Sequence, residues 1–206
     1  MYDWRKMTDL ERQQVLEIRR ARKLPWHSPP HLDFAGTRRY LISSACYEHA
    51  CIIGQSCERL TECEEELLAL CDKFCLSLDA WCILPNHYHA LLKTDRIKEL
   101  RHALGQFHGR SSFRWNQKDD SRGRKVWHNC FERPIKSERH FWATMNYIHH
   151  NPVHHGYVER WQDWPWSSAR EFIRTVGQAR ALELWLRYPI LDYGKKWDTD
   201  KLKLEL

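Results

Sequence analysis

Residues 80–93, AWCILPNHYHALLK, constrain this chain more than any other stretch. An apolar run (Trp81 to Leu84) meets a Pro85-Asn86 corner, and a second apolar run (Ala90 to Leu92) follows His87-Tyr88-His89. The pattern predicts two short strands about a tight connection, the second opening with His-x-His. Side chains alternate along a strand, so His87 and His89 share one face. Two imidazoles on a rigid strand can share a divalent metal. They can equally be ordinary packing, because a chain with 13 histidines is expected to contain about one such pair by chance.

The length, 206 residues, fits one domain with terminal extensions, and 42% hydrophobic content permits a core. No run of eighteen apolar residues occurs, and the first residues lack a signal peptide's apolar segment. The expectation is a soluble, cytoplasmic protein with no membrane partner. The eight cysteines form no Cys-x-x-Cys, and are expected to be small buried residues.

Net charge is +6 and the isoelectric point near 8.9, which suggests a polyanionic partner. The excess is local: residues 93–140 hold thirteen Lys/Arg against six Asp/Glu. Arg101, Arg110, Arg114, Arg122, Arg124 and Lys125 are the candidate phosphate contacts, the alternative being a solvated basic surface. Eleven tryptophans and eight tyrosines offer stacking platforms for unpaired bases, although core packing is their commoner use.

The apolar spacing predicts a helix over 7–24, then a Pro-rich connection over 25–36. A strand over 38–47 follows. Thr61 and Glu64 form a capping-box pair for a helix reaching Phe74. Strands near 76–84 and 87–93 come next, then a helix over 96–116 capped by Asp95. Residues 117–125 read as a polar loop, and a strand lies within 126–136, at a sheet edge because of Pro134. Ser137 caps a helix that starts at Glu138 and is expected to stop at Asn151, before Pro152. His140, Thr144, Tyr147 and Asn151 line one stripe of it. This order predicts an α+β fold: a ferredoxin-like antiparallel sheet packed by helices. The domain reading is an arm over 1–36, a core over 37–175 and a tail over 176–206, with no chemistry apparent in the tail.

Tyr147 on that helix is either half-buried packing or a reactive group, and the pattern alone leaves both open. The motifs, however, resemble a known family. LPNHYHALL resembles the His-hydrophobic-His motif of single-tyrosine transposases, specifically the REP-associated tyrosine transposase group. Tyr147-Ile148-His149-His150-Asn151-Pro152-Val153-His154-His155-Gly156-Tyr157-Val158 is similar to that group's second motif, and Trp164-Pro165-Trp166-Ser167-Ser168 to its usual tail. The likeness runs from about Thr37 to Ser168.

The resemblance implies a nucleophile, Tyr147, on a helix after the core strands, and a metal site of His87, His89 and Asn151. It implies Mg²⁺ or Mn²⁺, and a substrate of single-stranded or hairpin DNA cleaved through a 5′-phosphotyrosine link and rejoined. The protein would act as a monomer or homodimer. Two rivals stand beside this reading. One is a domesticated DNA-binding protein of the same fold that has lost mobility. The other is a His-rich metal binder in which His149 to His155 converge on His87 and His89.

Overall fold

A computed structural model describes residues 8–21 and 36–194. The chain divides into two compact units, at Phe34 and Ala35. In the first, helix α1 (Asp9–Ala21) opens with a capping box. Thr8 Oγ1 accepts from the Glu11 amide at 3.3 Å, and the Glu11 carboxylate accepts from the Thr8 amide at 2.6 Å. Residues 22–24 of the expected helix and the Pro-rich connection up to residue 35 lie outside the described residues.

The second unit is built on β1 (Arg38–Ala45), α2 (Cys57–Phe74), β2 (Ser77–Leu84), β3 (His87–Thr94), α3 (Ile97–Lys118), β4 (Phe131–Pro134) and α4 (Glu138–His154). The four strands form one antiparallel sheet in the order β2-β3-β1-β4. This is the expected α+β, ferredoxin-like arrangement, and Pro134 sits on the edge strand, where a missing N–H costs no central ladder bond. Among the described residues no helix is long and apolar enough to cross a membrane.

Alternation on β3 divides the work of the sheet. Tyr88, Ala90 and Leu92 face α2 and α3, where the Tyr88 hydroxyl meets His108 Nε2 at 2.9 Å. His87 and His89 face the other way, toward α4. The free edge of β2 is covered by the segment after α4. Ile83 donates to the Trp166 carbonyl at 2.9 Å, and Trp164 Nε1 donates to the Ile83 carbonyl at 2.8 Å. Helices α5 (Ala169–Val176) and α6 (Gln178–Arg187) then pack back onto α4, burying Ala181, Leu184 and Trp185.

Three helix ends differ from expectation. Helix α2 starts one turn before Thr61: Ser56 is its cap, accepting from the Arg59 amide at 3.3 Å. Ser56 lacks a Glu or Gln three residues on, so the more visible Thr61-Glu64 pair masked it. Helix α3 is not capped by Asp95; Thr94 Oγ1 accepts the Arg96 amide at 2.9 Å instead. Helix α4 runs through Pro152 to His154. Proline there removes one donor in the last turn only, and the helix closes when the His155 amide reaches the Asn151 carbonyl at 3.0 Å. Gly156, at φ 76°, turns the chain away.

Gly54 shows how tightly the β2–β3 hairpin is held. Its amide donates to the Pro85 carbonyl at 2.9 Å, and a Cβ on it would overlap the Pro85 side chain and lie 2.8 Å from Pro85 Cα. Gly54→Ala is therefore expected to cost about 1–3 kcal/mol, seen as a fall of roughly 3–10 °C in the calorimetric Tm. An unchanged Tm would mean that the hairpin yields freely.

Candidate active site

Three elements meet at the histidines. Strand β3 supplies His87 and His89, β1 supplies Ser43 opposite His89, and α4 supplies Tyr147 and Asn151. Ser137 fixes the start of α4 by accepting from the His140 amide at 3.1 Å. The stripe His140, Thr144, Tyr147, Asn151 thereby lies over the sheet. Asn151 Oδ1 is 3.0 Å from His87 Nε2, and the Tyr147 hydroxyl is 3.3 Å from His89 Nε2. The two imidazoles lie edge to face, with centroids 4.9 Å apart. All four of these side chains are almost fully buried.

Both imidazoles are held from behind. His87 Nδ1 meets Asn86 Oδ1 at 2.7 Å, and His89 Nδ1 meets Ser43 Oγ at 2.6 Å. Each ring therefore turns Nε2 toward the helix, as metal-ligating histidines do when an outer partner holds the other nitrogen. The donor set fits a divalent cation. Two ligands at right angles about 2.1 Å from a metal lie about 3.0 Å apart, which is the His87–Asn151 separation. Asn151 Nδ2 makes no hydrogen bond, so the amide is not committed to another role. Two imidazoles and one amide oxygen suit Mg²⁺ or Mn²⁺ with positions left open.

The other histidines do not join this set. His149 Nε2 pairs with Ser168 Oγ at 3.0 Å and His150 Nδ1 with the Asn146 carbonyl at 3.1 Å. Both pack against Trp161 and Trp185. Only His155 approaches, its ring centroid 5.1 Å from that of His87. Among the described residues no three His, Cys, Asp or Glu side chains are arranged to hold a metal.

Tyr147 has neighbours that nothing in the sequence indicated. Tyr193 packs edge to face on it, with centroids 5.5 Å apart, and its hydroxyl meets Thr144 Oγ1 at 2.7 Å and His140 Nε2 at 3.2 Å. Gly194 lies so close that a Cβ there would strike the Tyr147 ring. The stretch thus adds contacts to the phenol, although no periodic pattern marked it. Ser43 and Asn86 were also missed, Asn86 despite standing inside LPNHYH.

Most of the candidate phosphate contacts lie elsewhere. Arg101 pairs with Glu132 at 3.3 Å, Arg110 with Glu66 at 2.8 Å, Arg114 with Glu62 and Glu66, and Arg124 with Asp119 at 2.5 Å. Arg101, Arg110 and Arg114 belong to α3, across the sheet from the histidines. Arg122 is exposed, and the Lys125 ammonium sits 4.6 Å from the Tyr47 ring centroid. Tyr47 and His128 stack at the end of β1, beside Ala45, which is the register partner of His87. Phe131 and Arg133 on β4 pair with Ser43 and Leu41, so they share the histidine face.

Comparison with known proteins matches residues 38–151, more than half of the chain, to the family described as Transposase IS200 like. The chain belongs to the IS200-like transposase family. The matched residues run from the first core strand through Asn151, so they include every side chain of the buried site. Among curated relatives of this IS200-like chain is a putative REP-associated tyrosine transposase from Haemophilus influenzae. It is 30% identical over 115 residues, which are 48% of this chain and 61% of that protein. A REP-associated tyrosine transposase from Escherichia coli is 30% identical over 104 residues, 44% of this chain and 53% of that protein. The alignments thus span little more than half of each relative. A solved structure of a REP-associated tyrosine transposase bound to a REP hairpin shares the fold. Its TM-score is 0.51 at 16% identity, covering 86% of this chain and 96% of that one.

Proposed function

We propose that this protein is a metal-dependent tyrosine transposase that cleaves and rejoins single-stranded, hairpin-bearing DNA. The observation that supports the reading best is the Tyr147 hydroxyl, 3.3 Å from His89 Nε2 in a buried pocket shared with His87 and Asn151. A phenol placed there has a nucleophilic oxygen, and a lone pair beside it to receive its proton. Tyr147 Oη would form a bond to phosphorus while the P–O3′ bond breaks. The 3′ oxygen takes up a proton and the phosphate stays on the tyrosine through its 5′ side. The phosphotyrosine keeps the energy of the cleaved phosphodiester, so attack by another 3′-OH rejoins DNA without a nucleotide cofactor.

His87, His89 and Asn151 would hold one Mg²⁺ or Mn²⁺, which when bound supplies Lewis-acid charge at the scissile phosphate. The rigid strand and the last turns of α4 set the separation of nucleophile and ligands. Hairpin DNA is the substrate we infer, in keeping with the hairpin-bound neighbour of the same fold. Tyr47, Lys125 and His128 at the end of β1, with Phe131 and Arg133 on β4, offer stacking faces and cations beside the site. The paired arginines of α3 are less suited, since DNA would have to displace Glu62 and Glu66 from them.

The test is adduct formation. A hairpin-bearing strand labelled at its 3′ end, incubated with protein and Mn²⁺, is expected to give a denaturation-resistant protein–DNA adduct. The same strand labelled at its 5′ end should give only a free fragment ending in 3′-OH. A chelator should abolish both products, and plain duplex should yield neither. Equal adduct from duplex, or undiminished adduct with chelator, would overturn the proposal.

A further inference from the structure

His87 stands one residue past a turn whose polar groups form a single relay. Glu48 and His49 both occupy the left-handed region, at φ 57° and 55°, where residues with a Cβ are rarely found. This strained turn aims the His49 carbonyl at Asn86, whose Nδ2 donates to it at 3.2 Å. The Asn86 backbone is fixed as well, its carbonyl accepting from the Cys46 amide at 2.7 Å. A carbonyl oxygen only accepts, so the Asn86 amide can be turned one way, with Oδ1 toward His87. Oδ1 also only accepts, so the nitrogen it meets at 2.7 Å, His87 Nδ1, must carry a proton. A neutral imidazole has one N–H, which leaves the lone pair on Nε2, the atom facing Asn151.

We propose that Asn86 is a positioning residue that locks His87 in the Nδ1–H tautomer, and that the left-handed turn at Glu48-His49 holds Asn86 in the orientation that does so. The proposal concerns the protein's own hydrogen bonds; its consequence for cation affinity rests on the metal reading above. His89 differs. Its outer partner is the Ser43 hydroxyl, which donates or accepts, so nothing of this kind dictates its tautomer.

Nitrogen-15 NMR of histidine-labelled, metal-free protein above pH 7.5 reads the tautomer directly. In the wild type His87 is expected to be protonated at Nδ1 and bare at Nε2. Asn86→Leu removes the acceptor, and His87 should shift toward the Nε2–H form, while His89 keeps its wild-type signals and so reports an intact sheet. Asn86→Asp restores an acceptor and should restore the Nδ1–H form. Mn²⁺ affinity, measured by calorimetry, should fall about 10–100-fold in Asn86→Leu and recover in Asn86→Asp. A wild-type His87 protonated at Nε2, or a tautomer unchanged by Asn86→Leu with His89 undisturbed, would overturn the lock. Wild-type protein that shows the expected tautomer yet binds no Mn²⁺ would instead uphold the lock and refute the metal reading.

Discussion

Tyr147→Phe is expected to leave the protein folded and bound to hairpin DNA, while the covalent adduct disappears. The substitution removes one hydroxyl and no ring volume. The phenyl group would keep its contacts with His89, at 5.2 Å between centroids, and with Tyr193. The lost contact is one long hydrogen bond of 3.3 Å, worth about 1 kcal/mol. Loss of a nucleophile is of another order: adduct should fall at least ~10⁴-fold, the scale on which enzymes lose rate when the attacking group is removed. Denaturing gels and a mobility-shift assay on the same preparation separate the two effects. Tyr157 is the instructive control. It stacks on His155 and Trp164 beyond the end of α4, with ring centroids 5.9 and 5.5 Å away. Adduct retained in Tyr147→Phe and lost in Tyr157→Phe would reassign the nucleophile. A DNA-binding protein without strand chemistry would give no adduct in wild type or variant.

Local patterns carried much of this structure. The β2–β3 hairpin is contiguous in sequence, and its alternation alone placed His87 and His89 on one face. The stripe from His140 to Asn151 is likewise a property of one helix, so its four residues could be grouped before any contact was known. What failed or stayed hidden depends on partners distant in the chain. Arg110 and Arg114 look like free cations in sequence, because Glu62 and Glu66 reach them only once α2 and α3 pack side by side. Tyr193 and Gly194 sit in a stretch with no apolar period, and only the return of the chain after α6 brings them to Tyr147. The helix end at Pro152 was missed for a different reason. The bias of a residue before proline is a preference, and the last turn of α4 has packing enough to override it. Asn86 shows a further limit: a turn residue and a hydrogen-bonding partner of His87 look the same until the His49 carbonyl is located.

Acid should unfold this protein steeply, and two histidines outside the active site explain why. Burial pushes His149 down to about 3 and His108 down to about 4, from an ordinary value of 6.5. His149 is enclosed by Trp161, Phe172 and Trp185, with Ser168 on Nε2. His108 is stacked on Trp127 at 4.4 Å and joined to the Tyr88 hydroxyl. Neither pocket holds a counter-charge among these contacts, so the folded protein keeps both rings neutral. The unfolded chain protonates them near pH 6.5 and therefore binds more protons than the native state below that value. Stability then rises with pH across this window: the contribution is complete above about 6.5 and is lost as pH falls toward 4 and 3. Each pKa unit is worth about 1.4 kcal/mol, so the pair should remove on the order of 5 kcal/mol by pH 4. Between pH 5.5 and 4.5 two protons are taken up on unfolding, a slope of about 2.7 kcal/mol per pH unit from these groups. His140 and His150, also lowered by burial, act in the same direction. Urea denaturation at a series of pH values measures the slope, and His149→Gln isolates one share of it. Glutamine keeps a hydrogen-bonding group near Ser168 but takes up no proton, so the slope should shrink by about 1.4 kcal/mol per pH unit. An identical slope in wild type and His149→Gln would show that His149 is reached by solvent protons in the folded state, and that its aromatic enclosure opens at far lower cost than its burial implies.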